Sequence, residues 1–376
     1  MAAPRIAYCT NVSAAPSLAA LEARLSGIWT DVRHRTGLER LGLGLWFPRD
    51  VAAELAADDA ALDRLRSSLA AARLEALTYN AFPADDFHAP VVKQDVYAPN
   101  WLTAERRTYT LHMARIAAAL AKPGDVIPIS TLPLGFPKWD ERRRRIAADQ
   151  LAEVAMNLAV LEKVTGVSVR LAIEPEPACV IETTDEMIAF WNEILLPMAA
   201  MRVEHVQKHL GVCLDLCHAA VEHEDPIEAL ARYADADIPV HKVQVSAAVE
   251  VPRPDDPEQR RRLSAFAEER WLHQVGAPDH PTALDLPNAL ADEALAAAAP
   301  WRVHFHMPLH ESEVGGLPTT RPIVQRFLHH VATLDAPPLL ELETYTWSVV
   351  PDAPLDLPAN LAAEIAWVRQ QIEPAR

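Results

Sequence analysis

Glycine and cysteine are scarce in this chain of 376 residues, which contains 11 glycines and 4 cysteines. Neither G-x-G-x-x-G nor G-x-x-x-x-G-K-[ST] occurs, so the glycine-rich loops that hold nucleotide phosphates are excluded. The cysteines form no C-x-x-C pair, and four of them in so long a chain do not indicate a disulfide framework.

Positive charge and long apolar runs are lacking as well. The 35 lysines and arginines are outnumbered by 52 aspartates and glutamates, which gives a formal charge of −17. Duplex DNA and anionic membranes both attract cations, so neither is expected as a partner. No run of about 18 apolar residues occurs, so we expect no membrane span. The N-terminal residues lack the pattern of a secretory signal, and we therefore predict a cytoplasmic protein with a small-molecule substrate.

Short apolar runs alternate with alanine-rich segments along most of the chain. Nine runs predict strands: Arg5–Cys9, Leu41–Phe47, Leu74–Asn80, Val126–Ser130, Val169–Glu174, Gly211–Asp215, Val240–Val245, Arg302–Met307 and Leu339–Glu343. Apolar spacings of three and four residues predict helices between them: Ala52–Ala72, Glu105–Ala121, Arg142–Val164 and Asp185–His209. Alternating strands and helices favour a parallel sheet with helical crossovers. We therefore predict an α/β fold, a (β/α)8 TIM barrel in which residues 1–376 form a single domain.

One segment, from about residue 251 to 300, does not follow this repeat. It begins with the prolines Pro252, Pro254 and Pro257, continues with dense charges and ends in an alanine-rich stretch. We predict an insertion after the seventh barrel strand, and one of the nine predicted strands is then a short strand in this insertion.

Polar residues lie in or just after the C-terminal ends of the predicted strands, where barrel enzymes carry their active sites. These residues are Glu174, Glu176, Asp215, His218, Gln244, Ser246, His304, His306, His310, Glu311, Glu341 and Glu343. Carboxylate, imidazole and amide oxygen ligands suit Mn, Mg, Co, Fe or Zn. The sequence therefore predicts a divalent metal ion at the barrel mouth, beside a carboxylate that moves a proton.

The motifs I-E-P-E-P, L-D-x-C-H and L-E-T, together with the histidine-rich run, resemble the xylose isomerase-like TIM-barrel superfamily. That superfamily includes sugar isomerases, ketose 3-epimerases and the endonuclease IV group, and the resemblance covers nearly the whole chain. The segments YCTNV, LAIEPEP and CLDLCH are also similar to the EboE proteins, barrel proteins implicated in metabolite traffic.

The resemblance implies roles for individual residues. In the superfamily the metal is held by a glutamate after strand five, an aspartate after strand six, a histidine or similar residue after strand seven and a glutamate after strand eight. Glu174, Asp215 and Glu343 match three of these positions, and the two glutamates would also serve as acid and base. At strand seven this chain has Gln244 where relatives have histidine. Either Gln244 or His306 is therefore expected to complete the metal site.

Further residues near strand ends are predicted to contact the substrate. Trp46 and Tyr79 would cover the apolar face of a ring, whereas His218, His304 and His310 would contact polar groups. His304 and His306 are also similar to a metal-binding pair of the endonuclease group, which leaves open a site with two or three metals. Barrels of the superfamily are often dimeric, so a homodimer is one expected assembly.

Three functions remain open at this point. The first is a metal-dependent isomerase or epimerase acting on a sugar, cyclitol or related polyol. The second is a metal-dependent phosphoesterase-like hydrolase, although the charge of −17 argues against cleavage of nucleic acid. The third is a non-catalytic metabolite-binding or trafficking protein. The acidic set argues against the third, because buried carboxylates without a cation repel one another.

Overall fold

The computed structural model describes residues 4–13, 15–349 and 356–373, and eight parallel strands close into a barrel within them. The barrel strands are β1 (Ile6–Cys9), β2 (Leu41–Trp46), β3 (Leu74–Asn80), β4 (Val126–Thr131), β5 (Ser168–Ile173), β6 (Leu210–Asp215), β7 (Val240–Val245) and β14 (Leu339–Leu342). β14 lies between β7 and β1 and closes the sheet. The predicted α/β class and (β/α)8 TIM barrel are confirmed.

Helices connect the strands; those before residue 249 and after residue 303 cover the outside of the barrel, and those between these residues pack in a separate apolar cluster. They are α1 (Leu18–Arg24), α2 (Thr30–Thr36), α3 (Arg49–Ala57), α4 (Asp59–Ala72), α5 (Ala104–Leu120), α6 (Glu141–Thr165), α7 (Thr184–Ala189), α8 (Leu196–Ala199), α9 (Val203–His209), α10 (Leu216–Val221), α11 (Pro226–Asp235), α12 (Pro257–Ser264), α13 (Leu286–Ala291), α14 (Glu293–Ala296), α15 (Arg321–Val331) and α16 (Leu357–Ile372). Short 3-10 segments lie at Thr10–Val12, Lys93–Tyr97, Ala200–Arg202 and Thr346–Ser348, and π-helical segments at Leu25–Trp29 and Phe190–Leu195. None of the helices formed by the described residues is both long and apolar enough to span a bilayer.

Two of the predicted helices are interrupted. The predicted helix Ala52–Ala72 divides at Asp58, whose backbone is extended and whose carboxylate accepts a hydrogen bond from Ala60 N at 2.9 Å. An aspartate in this position caps the helix that follows it, so α4 starts afresh. The predicted helix Asp185–His209 consists of α7, a π segment, α8, a 3-10 turn and α9. Its turn contains Ala200 at a φ of 48°, a conformation that no α-helix accommodates.

A smaller sheet lies in the chain between the seventh and eighth barrel strands. It consists of β8 (Val249–Val251), β9 (Val275–Ala277), β10 (His280–Ala283) and β11 (Trp301–Val303), in the order β10-β9-β11-β8. A two-stranded sheet of β12 (Glu313–Val314) and β13 (Leu317–Pro318) follows. The predicted strand Arg302–Met307 is represented only by β11 and belongs to the smaller sheet, not to the barrel. We refer to residues 249–303 as the inserted sheet; the prediction of a single domain with an insertion at 251–300 stays a prediction.

Candidate metal centre

Three carboxylates meet where β5, β6 and β14 end. Glu174, Asp215 and Glu343 are buried, and one carboxylate oxygen of each lies within 4.8 Å of the others. The barrel ladder continues into these positions, because Glu174 N donates to Thr131 O at 3.0 Å and Glu343 N donates to Val245 O at 3.2 Å. The carboxylates are therefore fixed by the barrel itself.

Asp215 is oriented so that one oxygen remains free for a ligand. Its Oδ1 accepts hydrogen bonds from Cys217 N at 2.7 Å, His218 N at 2.9 Å and Ser246 Oγ at 2.8 Å. The first two are amides at the start of α10, which an aspartate in the capping position stabilises. Its Oδ2 is buried and has no hydrogen-bond partner within the part of the chain that the structure describes. A buried carboxylate oxygen without a donor is costly, so this atom fits a cation.

Burial makes the two glutamates hold protons tightly. The pKa of Glu174 is raised well above its ordinary value, first by burial and then by the charges of Glu343 and Asp215. The pKa of Glu343 is raised to about 8, by burial and then by Asp215 and Glu341, although the cationic Lys242 counteracts both shifts. A bound cation would favour the ionised form of both groups, so the acidic set fits a metal site.

Three histidines form a second cluster beside the carboxylates. His218, His304 and His306 each place Nδ1 against an oxygen: Pro175 O at 2.9 Å, Gln274 Oε1 at 2.7 Å and Glu343 O at 2.8 Å. Carbonyl and amide oxygens only accept, so Nδ1 carries a hydrogen in each ring and Nε2 is the atom that can offer a lone pair.

These three Nε2 atoms converge. The His304 Nε2 atom lies 3.1 Å from that of His218 and 3.2 Å from that of His306. Nitrogen ligands about 2.0–2.1 Å from one tetrahedral cation are roughly 3.3 Å apart, so the spacing fits shared coordination. His306 Nε2 also lies 3.9 Å from Asp215 Oδ2, so the histidine cluster adjoins the carboxylate cluster. Burial lowers the pKa of His306 to about 4, which keeps its ring neutral at physiological pH.

Several contributing residues have no assigned role in the sequence analysis. Glu176 lies with His218 and His304 in one group of ligand atoms and accepts a hydrogen bond from Tyr97 OH at 2.6 Å. Gln274 donates from Nε2 to Tyr97 OH at 3.0 Å while its Oε1 orients His304. Glu176 could have been found as the second carboxylate of I-E-P-E-P. Nothing in the local sequence marks Tyr97 or Gln274.

The predicted metal ligands lie together, whereas three predicted substrate contacts lie elsewhere. Glu174, Gln244, His306 and Glu343 line one cavity, as do His218 and His304, and Asp215 lies beside it. Trp46 is buried with its Nε1 donating to Pro83 O at 2.7 Å, and Tyr79 is buried against Phe47. His310 is partly exposed and stacks on Trp347. None of these three lines the cavity as the described residues form it.

The cavity wall is aromatic and acidic. Aromatic rings line it at Phe82, Phe87, Tyr97, Trp271 and Tyr345. Trp271 lies in the inserted sheet, between α12 and β9. Lys93 is the one lysine or arginine among the described lining residues. Its ammonium donates to Trp271 O at 2.7 Å, Asp285 Oδ2 at 2.7 Å and Glu268 O at 3.3 Å, which uses its three hydrogens.

A closed parallel barrel with polar side chains at the carboxyl ends of its strands is a TIM barrel. Residues 35–264 match the family described as xylose isomerase-like TIM barrel, and because this is more than half of the chain, the protein belongs to that family. The resemblance to this superfamily is thus confirmed. No curated protein matches the sequence, and nothing in the comparisons supports the narrower resemblance to EboE proteins.

Solved structures agree on the fold. A xylose isomerase-like TIM barrel protein from Mycobacterium smegmatis in complex with magnesium has a TM-score of 0.54 and 14% identity, covering 99% of this chain and 98% of that one. A putative sugar phosphate isomerase/epimerase from Anabaena variabilis has a TM-score of 0.51 and 15% identity, covering 99% of each chain. At such identities the similarity shows a shared fold, and function has to be argued from the site.

Proposed function

We propose that this protein is a metal-dependent isomerase or epimerase acting on a sugar, cyclitol or related polyol. Glu174, Asp215 and Glu343 would hold one divalent cation, of Mn, Mg, Co, Fe or Zn, and Gln244 or His306 would complete its coordination. The observation that carries the proposal is the acidic set: three buried carboxylates within 4.8 Å, one of them with an oxygen that accepts no hydrogen bond from any described residue. Without a cation such a set is destabilising.

The two glutamates suit the transfer of a proton. Bound at this site, a divalent cation supplies polarisation of a carbonyl or hydroxyl oxygen of the substrate. Glu174 and Glu343 lie at the ends of the non-adjacent strands β5 and β14, so that a substrate carbon can lie between their carboxylates. One carboxylate would remove a proton from a carbon placed between them, and the other would return a proton to that carbon.

The cavity favours an uncharged ring as substrate. Aromatic faces such as Phe87 and Trp271 pack against the C–H faces of a sugar, whereas the surrounding carboxylates hydrogen-bond its hydroxyls. The ammonium of Lys93 is occupied by Asp285 and two carbonyl oxygens, so it is not free to bind a phosphate. This supports a polyol without a phosphate group.

Metal content tests the site assignment. We expect wild-type protein, purified without chelator or nickel resin, to hold about one divalent cation per chain. Glu174→Gln and Asp215→Asn should each lose most of it, because each variant loses an ionised ligand. Glu54→Gln, an exposed change on α3, is the matched control and should keep the metal. Unchanged metal content in both site variants would overturn the assignment.

Solvent exchange tests the reaction. We incubate wild-type protein, loaded with the divalent cation, in D2O with a panel of ketoses and cyclitols. Deuterium should enter the substrate at a carbon bearing oxygen, and Glu343→Gln should abolish the incorporation. Metal binding without exchange on any neutral polyol would remove the isomerase proposal and favour the non-catalytic metabolite-binding or trafficking function.

A second candidate, a metal-dependent phosphoesterase-like hydrolase, is favoured by the convergent histidines. A second cation on His218, His304 and His306 would give the paired-metal arrangement common in phosphate ester hydrolysis. This candidate requires about two cations per chain, loss of one of them in His304→Ala, and release of p-nitrophenol from bis(p-nitrophenyl) phosphate. One cation per chain and no release would exclude it.

A further inference from the structure

A buried polar network lies inside the barrel beneath the carboxylates. Lys242 on β7 and Glu341 on β14 form an ion pair with both side chains fully buried. Asn80 on β3 bridges the pair, since its Oδ1 accepts from Lys242 Nζ at 3.0 Å and its Nδ2 donates to Glu341 Oε1 at 2.8 Å. The same Oδ1 also accepts from Ser130 Oγ at 2.7 Å and from Gln244 Nε2 at 3.1 Å.

The ion pair fixes which way the Asn80 amide points. An ammonium only donates and a carboxylate only accepts, so the oxygen of Asn80 must face Lys242 and its nitrogen must face Glu341. A reversed amide would place its NH2 group against the ammonium of Lys242 and its oxygen against the carboxylate of Glu341. In this buried setting either clash is costly, so the orientation is effectively unique.

That orientation in turn determines how Gln244 points. Because Asn80 presents an oxygen, Gln244 must present its NH2 group there, which turns its Oε1 the other way. Gln244 is 1% exposed, and its Oε1 is buried without a hydrogen-bond partner among residues 4–13, 15–349 and 356–373. Gln244 lines the same cavity as Glu174 and Glu343, and it pairs in register with Asp215 on the neighbouring strand β6.

We propose that Asn80 is a positioning residue that aims the Gln244 amide oxygen at the cation, so that Gln244 supplies the neutral ligand at strand seven. The inference rests on the proposed metal site and goes one step beyond it. An amide has one end that can ligate: its oxygen binds a divalent cation, whereas its NH2 group repels one. Gln244 therefore needs a partner that selects the correct end. His306 already has such a partner in Glu343 O, and its Nε2 is directed at His304.

A double-mutant cycle on the full chain tests this inference. The probe is Mn²⁺ added to metal-free protein, with affinity measured by titration calorimetry. Asn80→Ala should weaken Mn²⁺ binding about tenfold in the wild-type background, the lower end of the usual cost of losing a residue that orients a ligand. In the Gln244→Glu background, Asn80→Ala should lower the Mn²⁺ affinity by less than about twofold. The two oxygens of a carboxylate are equivalent, so no partner is needed to select one of them.

Ser130→Ala is the matched control. It removes another donor to Asn80 Oδ1 but leaves the bond to Gln244, so Mn²⁺ affinity should change by less than about twofold. An equal loss for Asn80→Ala in both backgrounds would show that Asn80 only supports the barrel, and would overturn the inference. Thermal unfolding of each variant establishes that it is folded.

If Asn80→Ala does not fold, the double variant Asn80→Asp/Glu341→Gln replaces it. Aspartate keeps an acceptor for Gln244 Nε2 and Lys242 Nζ, and an amide in place of the Glu341 carboxylate can donate to the second aspartate oxygen. Mn²⁺ should therefore bind no more weakly than about threefold below wild type. A tenfold loss in the folded double variant would overturn the inference. If wild-type protein binds no cation, the proposed function is overturned as well. If wild-type protein binds Mn²⁺ but Asn80→Ala lowers the affinity equally in both backgrounds, this inference alone is overturned.

Discussion

Glu343 makes cation binding at the proposed metal site depend on pH. Its pKa is raised to about 8, mainly by burial, so at pH 7 it is largely protonated in the metal-free protein. A cation must displace that proton before the carboxylate can ligate. We expect the Mn²⁺ affinity to rise by about tenfold per pH unit for each proton displaced between pH 6 and 8. Calorimetry in two buffers of different ionisation enthalpy counts the protons, and an affinity independent of pH over this range would contradict the expectation.

Gly44 on β2 makes room for the buried ion pair. A Cβ atom at Gly44 would overlap Glu341 Oε1, so Gly44→Ala should displace Glu341 from Lys242. Disrupting a buried pair costs about 3–5 kcal/mol, and we expect a loss of that order in the free energy of unfolding by urea. Gly27→Ala is the matched control: a Cβ there meets nothing within 4 Å, so stability should stay equal or rise by up to about 1 kcal/mol. Equal stability of the two variants would contradict this explanation.

Single residues differ in how far the sequence reveals them. Glu174, Asp215 and Glu343 follow recognisable strands, and barrel topology places strand ends together, so their proximity could be predicted. Gln274 orients His304 from 30 residues away in sequence and contacts Tyr97 across 177 residues. Loops without periodic patterns form both contacts. No local physical rule predicts such a meeting.

Among the secondary structure elements, the barrel strands were predictable and the helix breaks were not. Buried parallel strands are continuous apolar runs, which stand out from the helices around them. The break at Asp58 preserves the apolar spacing on both sides, so Ala52–Ala72 has the pattern of one helix. The run Arg302–Met307 instead alternates polar and apolar residues, and its first residues pair with β8 and β9. Such a pattern predicts a strand and does not specify which sheet contains it.

Lys93 ties the loop after β3 to the inserted sheet over the cavity. Its Nζ pairs with Asp285, and the backbone amides of Val92 and Lys93 donate to Arg270 O at 2.8 Å. Lys93→Met should remove the ion pair, costing up to about 1 kcal/mol because the pair is partly exposed. We expect faster hydrogen exchange in residues 268–274 and weaker retention of a bound polyol. Lys208→Met, which removes the exposed pair with Glu162, is the control and should leave exchange in 268–274 unchanged.

On the scale of the whole molecule, one buried carboxyl group joins the two ends of the described chain. Glu364 on α16 accepts a hydrogen bond from Tyr8 OH on β1, and its Oε1 accepts from Leu309 N and Thr344 Oγ1, both at 2.8 Å. Leu309 and Thr344 follow the histidine cluster and Glu343 closely in sequence. Glu364 therefore stabilises both the closure of the barrel by β14 and the segments that carry the site. The sequence does not reveal these contacts, because Glu364 lies among alanines in an ordinary helical pattern.

Glu364 also makes the free energy of unfolding depend on pH. Burial raises its pKa from the ordinary value of 4.5 to about 7, so between these pH values the folded chain holds a proton that the unfolded chain releases. Stability then falls as pH rises, and a shift of this size is worth about 3 kcal/mol. Glu364→Gln cannot ionise, so its unfolding free energy relative to wild type should increase by about that amount from pH 4.5 to 7.5. Urea unfolding at both pH values measures the change, with exposed Glu54→Gln as the control that stays parallel to wild type. A constant difference between Glu364→Gln and wild type would mean that Glu364 is ionised in the folded protein, because an ionised carboxylate has no proton to lose over this range.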